Sequence, residues 1–356
     1  PDTTPPRVVL EPLPETTFED VLVLKGRVED ASAWVEVELG HAKKKVLSGK
    51  SFELEVRIRV GLNELELSAR DELGNEAPLL VRRVQRISVP RWYRELDAGR
   101  RASLPLPPGV EFATTKGDYL FLPDKSLLTY VPPGTFRMGA EPGEFVEHQE
   151  DEAPAHTVTI SRGFFLGKFE VSRKQYLFFC EKKDHRRPPA FPFKRENSHR
   201  HPITQVTYDD AQAYCKWAGL RLPTEAEWEW AARGTTGQFY PWGNDPPSGS
   251  GQCNRESGDP YETTSPCGSF PRSASPFGNL DMAGNVWEYA SDRYERYAPG
   301  PVTDPRGAGP DQPHIIQRGG GWNSHGHSAR ATDRAHVNTF YTNTSAGFRV
   351  ALSYPR

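Results

Sequence analysis

Side chains able to carry redox or metal chemistry are few and scattered in this 356-residue chain. Its four cysteines stand at 180, 215, 253 and 267 with no C-x-x-C pair, so neither a zinc knuckle nor a thioredoxin-type centre is indicated. Four thiols in so long a chain do not make a disulfide scaffold. Cys253 and Cys267 bracket one loop and could pair in an extracytoplasmic protein; the alternative is two small buried thiols. Near the C-terminus His325, His327 and His336 accompany Asp333, the ingredients of a two-histidine, one-carboxylate metal site. A His-x-His pair serves one ion only from an extended strand, and nothing local demands a strand there. The plainer expectation is a set of exposed polar residues on a binding surface.

Composition removes further classes. Lys and Arg number 44 against 47 Asp and Glu, a net charge of −3, which gives no electrostatic footing on nucleic acid or an anionic membrane. No run of 18 apolar residues occurs and mean hydropathy is −0.67, so no membrane-spanning helix is expected. With 36% hydrophobic residues the chain can bury a core, and its length suits two domains. Gly (31) and Pro (33) are plentiful, so loops should dominate. The chain opens Pro1-Asp2-Thr3-Thr4 without Met or signal peptide and reads as a fragment of something longer. An extracytoplasmic or surface-exposed location is expected.

Residues 1–88 have the texture of an all-β, immunoglobulin-like sandwich. Short alternating runs recur at 21–24, 34–39, 52–60 and 65–67, with turn signals at 29–30, 48–50, 61–63 and 71–75. In 52–60 the apolar residues fall at every second position, so one face should be buried and the other wet. About seven such strands fit the sandwich, and the run Ala69-Arg-Asp-Glu-Leu-Gly-Asn75 looks like bacterial modules of that type. A basic, Pro-flanked connector is expected over 89–126, followed by a second domain over 127–356. There, Thr207 with Asp210 and Thr224 with Glu227 form capping boxes, and Gly219 and Gly234 close the two helices. A third helix is expected within 164–181, starting at Ser172.

The second domain closely resembles the formylglycine-generating enzyme (sulfatase-modifying factor) family, a loop-rich α+β branch of the C-type lectin fold. The resemblance rests on Val131-Pro-Pro-Gly-Thr-Phe-Arg-Met-Gly139, Phe169-Glu-Val-Ser172, His201-Pro-Ile-Thr-Gln-Val206 and the stretch from Asp210 to Glu229. It continues through Tyr240-Pro-Trp-Gly243, Asp281-Met-Ala-Gly-Asn-Val-Trp-Glu288, Arg318-Gly-Gly-Gly-Trp322 and Gly347-Phe-Arg-Val350. The family's catalysts oxidise a substrate cysteine to formylglycine with copper held by two cysteines. By this resemblance Ser324 and Ala329 stand where those cysteines would be, and neither an alcohol nor a methyl group replaces a thiolate on Cu(I). No copper and no formylglycine chemistry are therefore expected. The resemblance also implies two structural calcium ions. One would be held by Asn254, the backbone of Arg255, Asp259 and the backbone of Tyr261. The other would be held by Asp281, the carbonyls of Gly284 and Val286, and Glu288, an oxygen set suited to a hard cation.

Residues 323–345 contain no Lys, Glu, Gln, Met or Trp, although these types make up 61 of the 356 residues. The remaining types are those an AAC codon reaches when its adenines change. This pattern, set between Arg-Gly-Gly-Gly-Trp and Gly-Phe-Arg, looks like the variable region of a diversity-generating retroelement target; a recognition module of fixed sequence is the alternative. In either case the expectation is a non-catalytic protein whose polar and aromatic face binds a protein or surface glycan. Asn323, His325, His327, Thr332, His336, Asn338, Phe340, Tyr341 and Asn343 are the candidate face. Trp322, Arg330, Arg334, Phe348 and Arg349 are expected to hold the fold, with Trp242 and Trp287 in the core. A sensor domain of a larger receptor, such as a bacterial protein kinase, and a formylglycine-type oxidase are the alternatives.

Overall fold

The computed structural model describes residues 3–30, 34–39, 42–47, 49–141, 150–189, 198–247, 253 and 259–354. The chain forms two compact units, Pro1–Arg94 with Ser103–Pro105, and Glu95–Ala102 with Leu106–Arg356.

The first unit is all β: β1 (Arg7–Leu10), β2 (Thr16–Thr17), β3 (Val21–Glu29), β4 (Trp34–Leu39), β5 (Ala42–Leu47), β6 (Ser51–Arg57), β7 (Gly61–Asp71) and β8 (Leu80–Arg86). Two sheets, ordered β1-β3-β6 and β2-β8-β7-β4-β5, share one core. The period-two pattern sets that packing. Leu22, Leu24 and Val28 of β3 and Phe52 and Leu54 of β6 point inward, as do Val35, Val37, Leu65, Leu67 and Val84. Gly26 is required where β3 runs between its neighbours, since a Cβ there would lie 2.7 Å from the Val9 carbonyl oxygen and 2.8 Å from the Phe52 ring. The segment 61–63, expected as a turn, instead opens β7. The turn lies just upstream, where the Asn63 side chain accepts from the Arg59 amide (2.9 Å) and donates to the Arg59 carbonyl (2.8 Å).

The expected connector is structured. A short helix α1 (Arg91–Glu95) buries Trp92 and Tyr93, and β9 (Val110–Phe112) and β10 (Asp118–Phe121) belong to the second unit. Tyr119 and Phe121 alternate into its core, a pattern too short to read among the surrounding Pro and Gly.

The rest of the second unit is mixed α/β and sheet-rich. It continues with β11 (Ser126–Val131), β12 (Gly134–Met138), β13 (His156–Ile160), β14 (Phe164–Gly167), α2 (Arg173–Lys183), α3 (Tyr208–Ala218) and α4 (Glu225–Arg233). It ends with β15 (Trp287–Arg293), β16 (Val302–Thr303), β17 (His314–Arg318), β18 (Arg334–Asn338), β19 (Ala346–Gly347) and β20 (Ala351–Ser353). Three sheets result: β20-β14-β11-β10-β9, β12-β13-β16 and β18-β17-β15-β19. The helix expected to start at Ser172 is α2, and upstream of it residues 164–167 pair with β11 and β20, because three successive buried apolar side chains suit a strand covered on both faces. Ser172, Thr207 and Thr224 each cap a helix in a complete capping box. Trp228 and Trp230 of α4 pack on β12, β13 and β14 through Phe136, Met138, Val158, Ile160 and Phe164. Among the described residues no helix is long and apolar enough to cross a membrane. All four cysteines are free, so Cys253 and Cys267 do not pair.

Candidate functional site

The C-terminal segment hangs from β17. Beyond Arg318 the chain turns at Gly319 (φ 95°) and Gly320 (φ 74°); a Cβ on Gly320 would lie 2.6 Å from the Ser328 carbonyl oxygen. The Trp322 amide donates to the Asn285 carbonyl (2.8 Å) and its indole N–H to the Thr344 carbonyl (3.0 Å). Residues 328–334 then dive into the interior. Arg330 is held in a bidentate pair by Glu152 (2.6 and 3.0 Å) and Arg334 by Glu225 (2.9 and 2.8 Å). The Arg334 guanidinium also sits 4.0 Å from the centre of the Tyr297 ring. Arg318 completes the network, donating to Glu225 (3.1 Å) and Glu229 (2.5 Å). Burial pushes Glu152 up to about 7 and Asp333 up to about 6. For Glu229 burial also pushes upward, but Arg318 and Arg233 overcome it and hold the carboxyl below its ordinary value.

This anchoring splits the expected face. Thr332 is 2% exposed, with its hydroxyl 3.3 Å from Arg330 Nη1 and its carbonyl accepting from Arg318 (3.2 Å). It belongs to the core, because the two arginines flanking it must reach buried carboxylates. Asn323, His325 and His327 are exposed on one side of the buried stretch. His336, Phe340 and Tyr341 are exposed on the other, Phe340 at 77%. Asn338 and Asn343 are half-buried, and Asn343 accepts from the Ser345 amide (3.0 Å) while donating to the Tyr341 hydroxyl (2.8 Å). The face is therefore two islands, 323–327 and 335–343. Trp322 is half-buried, and Arg330, Arg334, Phe348 and Arg349 are buried.

The histidines do not converge on an ion. The His325 and His327 rings lie 5.6 Å apart and tilted by 33°, whereas His336 lies against Tyr294 (4.2 Å) and His314 (5.4 Å). Asp333 is buried 3.8 Å from Arg330. Among the described residues no group of three His, Cys, Asp or Glu is arranged to hold a metal. Burial lowers the pKa of His327 and His336, which favours neutral rings able both to donate and to accept hydrogen bonds.

Beside the first island stand aromatic residues that sequence reasoning assigned to the core. Trp242 is half-buried and lies flat on Tyr240, with ring centres 5.1 Å apart and planes 6° apart. Trp287 is half-buried too, and its indole N–H donates to Ser324 Oγ (3.1 Å), which also accepts from the Gly321 amide (3.0 Å). Ala329 is buried against Tyr240 and Ala283, with Cys253 in the same cluster. The Tyr240-Pro-Trp242 run was visible in the sequence; its contact with 329 was not.

Of the calcium loops, Asn254 and Arg255 lie outside the described residues. Asp259 accepts from the Tyr261 amide (2.8 Å). The 281–288 loop is described in full. Asp281 is buried at φ 56° and accepts from the Gly268 amide (2.5 Å), leaving Oδ1 without a hydrogen-bond partner. Glu170, absent from the sequence-based set, is buried beside it; Asn285 donates to its Oε1 (2.9 Å), and Oε2 has no partner. Burial and the neighbouring carboxylates push Glu170 well up, and burial pushes Asp281 up to about 6. Glu288, by contrast, is committed elsewhere: Arg349 donates to both its oxygens (2.5 Å each) and Trp228 to Oε2 (2.7 Å). Asp281 Oδ1 and Glu170 Oε2 are two unpartnered carboxylate oxygens of the kind a hard cation takes, but Glu288, paired with Arg349, does not serve as a ligand, so the three carboxylates do not form one ligand set. Gly284 and Val286 are buried in the same turn.

The chain is similar in fold to a C-type lectin-like structure, Treponema denticola variable protein 1 (TM-score 0.51, 19% identity, covering 64% of this chain and 95% of that one). A higher score, 0.60 at 26% identity, is reached with PvdO from Pseudomonas aeruginosa, over 68% of this chain and 100% of that one. Residues 123–354 match the family described as "Sulfatase-modifying factor enzyme 1-like domain", and the chain belongs to that family. Relatives include the formylglycine-generating enzyme of Mycobacterium tuberculosis (34% identical over 229 residues, 47% of this chain and 74% of that protein). Others are the inactive Cα-formylglycine-generating enzyme 2 of Bos taurus (28%, covering 63% and 87%) and the serine/threonine-protein kinase Pkn1 of Chlamydia trachomatis (32%, covering 63% and 38%).

Proposed function

We propose that this protein is a non-catalytic recognition module of the formylglycine-generating-enzyme family. It binds a protein or surface glycan through the islands 323–327 and 335–343. The carrying observation is the surroundings of Ser324 and Ala329. The hydroxyl of Ser324 is engaged by Trp287 and Gly321, and the methyl of Ala329 is packed in a hydrophobic cluster. Cys253 is the one thiol in that cluster, so the soft two-thiolate donor set that Cu(I) needs does not assemble there from these two positions. Exposed Asn, His, Phe and Tyr on a framework locked by buried arginines supply adaptable hydrogen bonds and contact area with little ordering cost. The first unit serves as an immunoglobulin-like spacer. Calcium would be held at the 281–288 turn by Asp281 and Glu170 with the carbonyls of Gly284 and Val286, where it would supply rigidity, not a reaction step.

The test is incubation of the copper-loaded protein with a cysteine peptide of the sulfatase type, read by mass spectrometry. No conversion is expected, and formylglycine product would overturn the reading. Deep sequencing of the 3′ end of the gene across one cultured population separates the two kinds of recognition. Adenine-directed variation confined to the two islands marks a diversified binder, and an invariant segment marks a fixed ligand. A second reading, the sensor domain of a larger receptor, is favoured by the similarity to a kinase of which the match covers 38%.

A further inference from the structure

A cavity of about 1090 Å³ in the second unit lies away from both islands and is lined by no residue of 323–345. The chain after β10, the Phe169-Glu-Val-Ser172 turn, the outer side of α2 and residues 199–200 build it. Its interior is mainly carbon. Leu127 and Phe169 line it, and Phe178 stands 45% exposed, held from behind by Trp217 at 6.0 Å. Its edge carries Lys125, Lys174, Arg187 and Arg200, all exposed and none in a salt bridge among the described residues; Glu181 is the one exposed carboxylate among the lining residues. Cavities of this volume accept small organic ligands. We infer that this cavity binds an amphiphilic organic anion, with the apolar body against Phe169 and Phe178 and the acidic head at the ring of Lys and Arg.

The reasoning is one of matching costs. An apolar wall holding an exposed phenylalanine gains by covering hydrocarbon and loses by covering a charge. An anionic head therefore stays at the edge, where four exposed cations, in no salt bridge among the described residues, can form charge-assisted hydrogen bonds. A fully polar anion would leave the phenylalanine wet, and a neutral hydrocarbon would leave the cations unmatched. Carboxylate and phosphate heads meet the same requirement and are distinguished by experiment.

The full chain is titrated calorimetrically with decanoate and with decyl phosphate, using octyl glucoside as the neutral apolar control and inorganic phosphate as the head alone. Both anionic amphiphiles, or one of the two heads, bind at least about tenfold more tightly than either control, and binding weakens with salt. The double variant K174E/R200E lowers affinity at least about tenfold while keeping the parent melting temperature, since both side chains are exposed. F178S weakens binding without changing its salt dependence, and Phe340→Ser, on the far island, leaves it unchanged. No binding of either amphiphile, equal binding of octyl glucoside, or parent-like affinity in K174E/R200E overturns the inference. None of these outcomes bears on recognition by the islands, which are read with Phe340→Ser against their own ligand.

Discussion

The two units bury their residues by opposite means. Among the described residues of the first, Asp71 is the single buried polar side chain, and its ion pairs, such as Arg83–Glu64 at 2.7 Å, lie on the surface. The second holds Arg318, Arg330, Arg334 and Arg349 in its interior, paired with Glu152, Glu225, Glu229 and Glu288. The difference follows from the backbone. Regular strands satisfy their own N–H and C=O groups, so a two-sheet unit needs only apolar side chains inside. Loops carry unpaired carbonyls, and buried arginines donate to them: Arg318 to those of Ala331 and Thr332, Arg349 to those of Gly167 and Leu280, Arg233 to those of Gly139 and Gly237. A guanidinium is suited to this, with five donors in a fixed fork.

The largest expected effect breaks the comparison if it fails to appear. Arg318→Ala takes one of two guanidinium partners from each of the buried carboxylates Glu225 and Glu229, and opens a cavity, and should cost about 3–5 kcal/mol in chemical denaturation of the second unit. Arg83→Ala in the first unit should cost less than about 1 kcal/mol. Equal losses would mean that the buried network is not what holds the loops.

A smaller effect concerns Asp292, buried in β15, whose carboxyl is pushed up to about 7 by burial and by Glu225. Because the folded state holds its proton more tightly than the unfolded chain, this group stabilises the fold fully below about pH 4, and that contribution is lost as pH rises through about 7. Asp292→Asn, with an amide oxygen that still accepts from the Glu225 amide, should therefore be more stable than the parent at pH 8, by up to about 4 kcal/mol, with the gap closing at pH 4. A gap that widens toward acid would reverse the assignment.

Chelation comes next. If calcium occupies the 281–288 turn at about a hundred times its Kd, EDTA should remove roughly 2–3 kcal/mol, several degrees of Tm. Asp281→Ala and Glu170→Gln should each abolish the response; an unchanged Tm and a blank metal analysis would end the calcium claim.

The smallest effects on stability fall on the islands. Asn323→Ala and Phe340→Ser should each shift stability by no more than about 0.5 kcal/mol, because neither side chain is buried. Their effect is expected in ligand affinity instead, which marks the islands off from the anchoring stretch between them.

Much of this was legible in the linear chain where the interactions are local. The capping boxes of α2, α3 and α4 span three residues each, and the inward-facing set of β6 follows from alternation alone. The motifs from Val131 to Val350 carried the family. What the chain could not declare were partners far apart in sequence. Glu152 lies 178 residues from Arg330, Glu225 lies 109 from Arg334, and Glu170 reaches the 281–288 loop across more than a hundred positions. Residues 323–345 look uniformly polar because composition does not record direction. Only the folded pairing of Arg330 and Arg334 with buried carboxylates pulls Thr332 inward and leaves 323–327 and 335–343 outside. Local rules fix where elements start and stop, since backbone hydrogen bonds and side-chain alternation act over a few residues. Which polar side chain faces the interior is decided by charges that meet only after the chain has closed on itself.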